Sequence, residues 1–492
     1  MFKRHVLLVA VLLTLPLTEF STIAMALEAT INKEITSTLQ DQQSVSVTIY
    51  NNNLALVKDQ RKVQLTSGLQ KLAIRDVSGQ IRPETAMFRS INSPGSFTTL
   101  EQNFDFDLLT PEKLLEKYVG KSVTIIKTNP VTGEEKTESA TVLSANNGVV
   151  LKIGNRIETG LLNNLGRIVY NDIPANLRDR PTLVTQINSK IAAEQIVELS
   201  YLTGGLAWKA DYVAELSPKE DSVDLSAWVT LTNTSGASYN NAKLQLVAGD
   251  INQVQENIPR VMMMRNKAEI MADSAATPMA EESLLEYHLY SLDRQTTIAE
   301  NQTKQVALLS ATAVPARKEL VLRGADYYYQ SSYGNLGQKL KMAVFIEFDN
   351  KEMSNLGLPL PKGIMRVYKK DSAGNAQFVG EDTIDHTAKN EIVRLKLGES
   401  FDVTADKKQT DFKVLAKPAK GNNAFESAYE ITLKNAKKEK MTVTVQEPIS
   451  GEWQIITESY PHKKVNSHLA VWKIEIPAEG STTLSYSAIV KY

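Results

Sequence analysis

The residues able to do chemistry are few, and their spacing does not converge. The chain holds 5 histidines and no cysteine. His462 and His468 flank Lys463-Lys464 with no carboxylate or third ligand placed to complete a zinc site, so they read as surface histidines at a strand end. His288 lies in EYHLY, two residues after Glu286 and close to Glu281 and Glu282. A general base needs a partner nucleophile, and the sequence names none, so a satisfied interfacial histidine is the expectation. Asp211, Asp224 and Asp250 could supply the two acids of sugar hydrolysis, which must face each other across a cleft. Nothing in the sequence pairs any two of them. Tyr327, Tyr328 and Tyr329, with Tyr333, resemble a sugar- or peptide-contacting patch. In a strand, three consecutive tyrosines would show both faces, so a core-plus-rim role fits equally. Five methionines between Met262 and Met279 could offer thioethers to a soft metal, but no histidine or cysteine stands beside them. No G-x-S-x-G, H-E-x-x-H, S-x-x-K or phosphate-cradling glycine loop occurs. The expectation is a protein with no cofactor, no metal and no catalytic residue.

The elements that would position these groups are strands. In Tyr201 to Leu216, YLTGGLAWKADYVAEL, Val197, Leu199 and Tyr201 alternate into a glycine pair, and Val229 and Leu231 alternate after it. Period 2 marks a strand with one buried face. Gly204-Gly205 then predicts a bulge or a close backbone approach, and Trp208 the largest apolar contact of the segment. Tyr201, Gly204, Gly205, Trp208, Tyr212 and Trp228 are thus the structural signature of a central sandwich.

Along the chain, residues 27 to 43 are polar and unpatterned, and a β region spans 44–250. Within it, five or six short strands at 121–173 suit a small inserted barrel, and sandwich strands fill 182–250. One helix is specified between them: Thr110 caps it, Pro111 takes its first position, Glu112 sits at its positive end, and Gly120 stops it. Residues 253–283 read as a methionine-rich low-complexity linker. A middle β region follows at 284–400, with a hairpin turning over Asp371 to Asn375. An immunoglobulin-like sandwich at 401–492 carries Trp453 and Trp472 as core aromatics. The closing alternation Leu484, Tyr486, Ala488, Val490, Tyr492 would also suit a membrane barrel, but the low aromatic content, the helix and the irregular strand lengths favour a sandwich. The fold class expected is mainly β: several antiparallel sandwiches, a small inserted barrel and one short helix.

The first residues bear on compartment. Lys3, Arg4 and His5 precede an apolar run of Val6 to Leu17, and Ala24-Met25-Ala26 is a small-x-small triplet. That is the layout of a secretory signal peptide over residues 1–26, cleaved after Ala26. Its apolar run is short for a bilayer span, and no later stretch offers a transmembrane helix. An exported chain without cysteine has no disulfides, which favours a bacterial periplasmic or extracellular setting. A net charge of −1, with both signs well mixed, gives no funnel for nucleic acid.

The Y-x-x-x-G-x-x-W-x-x-x-Y element (Tyr201, Gly205, Trp208, Tyr212), with the later N-T-S-G and L-x-L-V-A-G-D runs, resembles exported bacterial proteins that carry a domain of unknown function related to the mucoidy-inhibitor family. The likeness spans roughly 40 to 492 and is most specific in the middle of the chain. It implies β-sandwich domains behind a signal peptide, and it carries over no catalytic residue. Members of that family tend to hold a long coiled coil between their halves, and no sustained heptads occur here. The functional expectation is an exported, non-enzymatic binding or structural module of the cell envelope, its partner an envelope protein or polysaccharide. The competing expectation is a hydrolase of envelope polysaccharide acting through an acidic pair.

Overall fold

Alternation along the chain dictates strands nearly everywhere, and the computed structural model consists of them. It describes residues 34–146, 148–159, 166–174, 177–253, 279–416 and 423–492. The signal segment and most of the methionine-rich stretch lie outside these residues. The protein is mainly β, with open sheets layered as in sandwiches and one α-helix among the described residues.

The chain divides into two compact units that interleave in sequence. One unit takes the chain up to Ala207, then Thr232–Leu246 and Leu292–Thr303; the other takes Trp208–Leu231, Val247–Ser291 and Lys304–Tyr492.

In the first unit, Gln42–Tyr50, Leu54–Gln64, Glu194–Thr203 and Met87–Ser90 lie side by side in one sheet. Val45, Val47 and Ile49 give that sheet its buried face. A second sheet has the order Glu34–Ser37, Gly68–Arg75, Thr182–Ser189, Phe97–Asp105. The polar, unpatterned stretch 27 to 43 thus contains a strand, Glu34–Ser37, and a 3-10 turn capped by Thr38. Arg61 is buried, and its guanidinium holds Asp59 at 2.8 Å and donates to the carbonyls of Ser37 and Arg75.

The expected small barrel is an open five-stranded sheet instead, in the order Arg156–Thr159, Val150–Ile153, Glu135–Ser144, Ser122–Thr128, Gly166–Val169. Among the described residues its two edge strands do not pair with each other. Closure would bury one face of the strands against itself. Here the helix Pro111–Lys117 helps cover that face, with Leu114, Leu115 and Tyr118 packed on Val123, Ile125, Val142 and Leu151. The helix starts as its sequence specifies: Thr110 Oγ1 accepts from the Lys113 amide at 3.2 Å.

The second unit holds one large sheet whose principal order is Ala376–Ile384, Gly363–Lys370, Leu206–Leu216, Ser222–Asn233, Gln302–Arg323, Asn335–Asp349, Ile392–Ala416, Ala424–Asn435, Ser481–Lys491, Glu452–Glu458. Gln302–Arg323 also pairs in parallel with Met441–Pro448, which carries Leu469–Ile476 antiparallel beside it. These layers enclose a core of Val403, Ala405, Ile431 and Leu433 against Val443, Val445, Ile474 and Trp472. Both expected tryptophans, Trp453 and Trp472, are buried in it. The strand Ile392–Ala416 runs straight across the boundary drawn at 400/401. The hairpin at Asp371 forms as expected, the Asp371 amide donating to the Asn375 carbonyl at 2.9 Å.

The methionine-rich linker ends sooner than composition predicts. Met279 is buried, and Ala280–Leu284 pairs with Tyr287–Ser291.

Candidate functional site

The signature residues are framework. The glycine pair interrupts no strand; it joins two, Glu194–Thr203 and Leu206–Leu216, that belong to different sheets. The expected bulge is therefore a connection. The close approach is real: Gly205 has φ +79°, and a Cβ there would lie 2.5 Å from the Ser235 Cα, so only glycine fits. Tyr201 is buried, with its hydroxyl accepting from the Ser78 amide at 3.3 Å. Tyr212 is buried and donates to the Pro361 carbonyl at 2.6 Å. Trp208 is buried, and Trp228 is half-buried.

Two of the acids considered for hydrolysis, Asp211 and Asp224, bind different partners. Asp211 is buried and accepts from Thr230 Oγ1 at 2.7 Å, Arg366 at 3.1 Å and Lys209 at 3.3 Å. Burial pushes its pKa up, but Thr230, Arg366 and Lys209 outweigh that and hold the carboxyl below its usual range. A general acid needs the opposite shift. Asp224 instead caps a backbone amide, that of Ala313 at 2.7 Å. His288 binds Glu281 at 2.7 Å, and His462 binds Glu458 at 2.9 Å. Among the described residues, no group of three or more histidine, aspartate or glutamate side chains could hold a metal ion.

The tyrosine cluster is brought together, in a form that the sequence did not specify. Tyr327, Tyr328 and Tyr329 lie on a 3-10 turn, Asp326–Tyr329, and not in a strand. A 3-10 turn points successive side chains in different directions. Tyr329 goes inward and is fully buried, while Tyr327 is 51% exposed and Tyr333 38% exposed. Outside, the Tyr327 ring stands edge-on to Tyr328 at 4.8 Å and to Tyr333 at 5.7 Å.

The patch is held from beneath. Tyr429 Oη donates to the Tyr328 carbonyl at 2.7 Å. Gln409 donates to the carbonyls of Tyr328 and Ser331 and accepts from the Tyr333 amide at 2.6 Å. Tyr329 Oη donates to Glu447 Oε2 at 3.2 Å and lies 2.9 Å from Tyr486 Oη.

Below the tyrosines lies a buried ion pair. Lys407 Nζ sits 2.6 Å from Glu447 Oε1 and 2.7 Å from Oε2, with side chains 2% and 0% exposed. The ammonium also stands 4.4 Å from the Tyr328 ring centroid. Burial lowers the Lys407 pKa against the opposing pull of Glu447. Burial likewise raises Tyr329 and Tyr486 well above the usual range and pushes Tyr429 up to about 12. At neutral pH all three are neutral donors. Gly324 makes room for the carboxylate: a Cβ there would collide with Glu447 Oε2.

Reading the sequence missed Lys407 and Glu447, because DKKQT and VQEPI look like solvated stretches. A signal was present. Val403, Ala405, Lys407 and Val443, Val445, Glu447 each place the charge on the inward phase of its strand.

No helix among the described residues is long and apolar enough to cross a membrane. A comparison with curated proteins finds no match. A family model described as a domain of unknown function (DUF4139) matches residues 197–492, a span that holds the tyrosine cluster and both partners of the buried pair. The match covers more than half of the chain, and the protein belongs to the DUF4139 family.

Proposed function

We propose that this protein is an exported, non-enzymatic binding module of the bacterial cell envelope, related to the mucoidy-inhibitor proteins, and that Tyr327, Tyr328 and Tyr333 take an envelope polysaccharide. The observation that carries the reading is a group of three aromatic rings, Tyr327 and Tyr333 exposed and Tyr328 half-buried between them and the core, packed edge to face and fixed from below by Tyr429 and Gln409. Tyrosine suits such a surface because it presents a large apolar face at low conformational cost and adds a hydroxyl. Asp326, Gln330, Ser331 and Ser332 are exposed around the rings and offer the hydrogen-bonding groups that a sugar needs. The signal-peptide layout of residues 1–26 and the absence of cysteine support export to a bacterial envelope.

The hydrolase reading has less behind it, since Asp211 is already committed to three donors.

The test is calorimetric titration of the mature protein with purified envelope polysaccharides and peptidoglycan fragments. Binding should weaken roughly tenfold or more in Tyr327→Ala and Tyr333→Ala, a loss of at least about 1.4 kcal/mol, with the melting curve unchanged. Equal affinity in wild type and both variants would sink the assignment.

A further inference from the structure

The buried pair Lys407–Glu447 does more than satisfy itself. Each side chain is shut off from water, and each sits on the inward phase of its strand. Two opposite charges withdrawn from water remain costly even when paired, so the enclosure favours any state of the pair without charge. Around them stand Tyr329, Tyr429 and Tyr486. The chain has no cysteine, so no disulfide staples this core.

We infer that Lys407 and Glu447 condense into an internal amide that ties the strand Ile392–Ala416 to the strand Met441–Pro448.

The step balances without any co-reactant. A proton passes from the Lys407 ammonium to the Glu447 carboxylate, leaving a neutral amine and a carboxylic acid. The carboxyl turns about its Cγ–Cδ bond, which presents its face to the amine. The Nζ–Cδ bond forms, one Cδ–Oε bond breaks, and the departing hydroxyl leaves as water with a proton from nitrogen. Burial supports the first transfer, because a desolvated lysine loses its proton more readily and becomes a nucleophile. The Tyr329 hydroxyl, 3.2 Å from Glu447 Oε2 and backed by Tyr486, donates to the oxygen on which negative charge develops. Rigid strands hold amine and carboxyl together, which replaces an encounter with a standing arrangement. Gly324 is what lets the carboxyl reach this position. The inference is independent of the polysaccharide reading.

Intact mass spectrometry of the purified mature chain, denatured before injection, decides it. The expected mass is lighter than the sequence by one water, and a proteolytic map should join the peptide holding Lys407 to that holding Glu447. Lys407→Arg and Glu447→Ala should each restore the full mass of their sequence, folded or not. A wild-type chain at full sequence mass, or a missing water that maps elsewhere, would overturn the inference.

Discussion

Two turns, one at Asn233 and one at Asn435, close their strands with the same clasp and then diverge. Asn233 Nδ2 donates to the carbonyl of Ala237, four residues on, at 2.8 Å, and to Ile298 at 3.2 Å. Asn435 Nδ2 donates to Glu439, also four residues on, at 2.8 Å, and to Pro477 at 3.0 Å. In each, Oδ1 accepts the amide two residues later, Ser235 at 3.0 Å and Lys437 at 2.9 Å. Both asparagines are buried, and the clasp satisfies backbone groups that a turn would otherwise leave without partners.

The strands that follow have opposite phase. After Asn435 the inward residues fall at even steps: Val443, Val445, Glu447. After Asn233 they fall at odd steps: Ala242, Leu244, Leu246. The cause is a bulge. Between Tyr239 and Ala242 the register against Thr296–Ile298 shifts, and Asn241 takes φ +48°. One extra residue turns every later side chain over. The first strand thus buries only apolar side chains at these positions and leaves Gln245 half-exposed. The second lacks the bulge, carries Glu447 inward, and needs Lys407 to meet it.

That difference can be broken at three levels. The largest effect belongs to Glu447→Ala, which strands the Lys407 ammonium in the core and should cost about 3–5 kcal/mol in a denaturant titration. The matching change Gln245→Ala should stay within about 0.5 kcal/mol, since that residue faces partly outward. Comparable losses at both positions would mean that phase is not what separates the strands. Next come the clasps: Asn233→Ala and Asn435→Ala should each cost about 1–3 kcal/mol by leaving buried carbonyls unpaired. Widely different midpoint shifts would show that the shared geometry hides unequal roles. The smallest effect is at the bulge, where Asn241→Ala should cost about 1 kcal/mol because alanine resists the left-handed region. Asn241→Gly should leave the midpoint close to wild type. An alanine variant as stable as the glycine one would remove the strain argument.

Much of this architecture was legible in the chain. The helix at Pro111 and the hairpin at Asp371 were readable because caps and turns are local chemistry, settled by residues within one turn of each other. Trp453 and Trp472 were readable as core because they are too large and apolar to leave outside. The inserted barrel was misread, because a run of short strands does not say whether its edges meet. Tyr327 to Tyr329 were misread as a strand, since aromatic residues favour strands and the 3-10 turn is fixed by Gln409 and Tyr429, far along the chain.

The sequence by itself determined a mainly β protein, the phase of most of its strands and the signature Tyr201, Gly205, Trp208, Tyr212. Those follow from alternation and side-chain size, which act on neighbours. Only the tertiary structure decided that Lys407 meets Glu447, that Gly324 leaves space for the carboxylate, and that Tyr327 and Tyr333 face solvent above them. Such pairings join strands forty or more residues apart, and charge in an inward phase acquires its meaning only when the opposite layer supplies the partner.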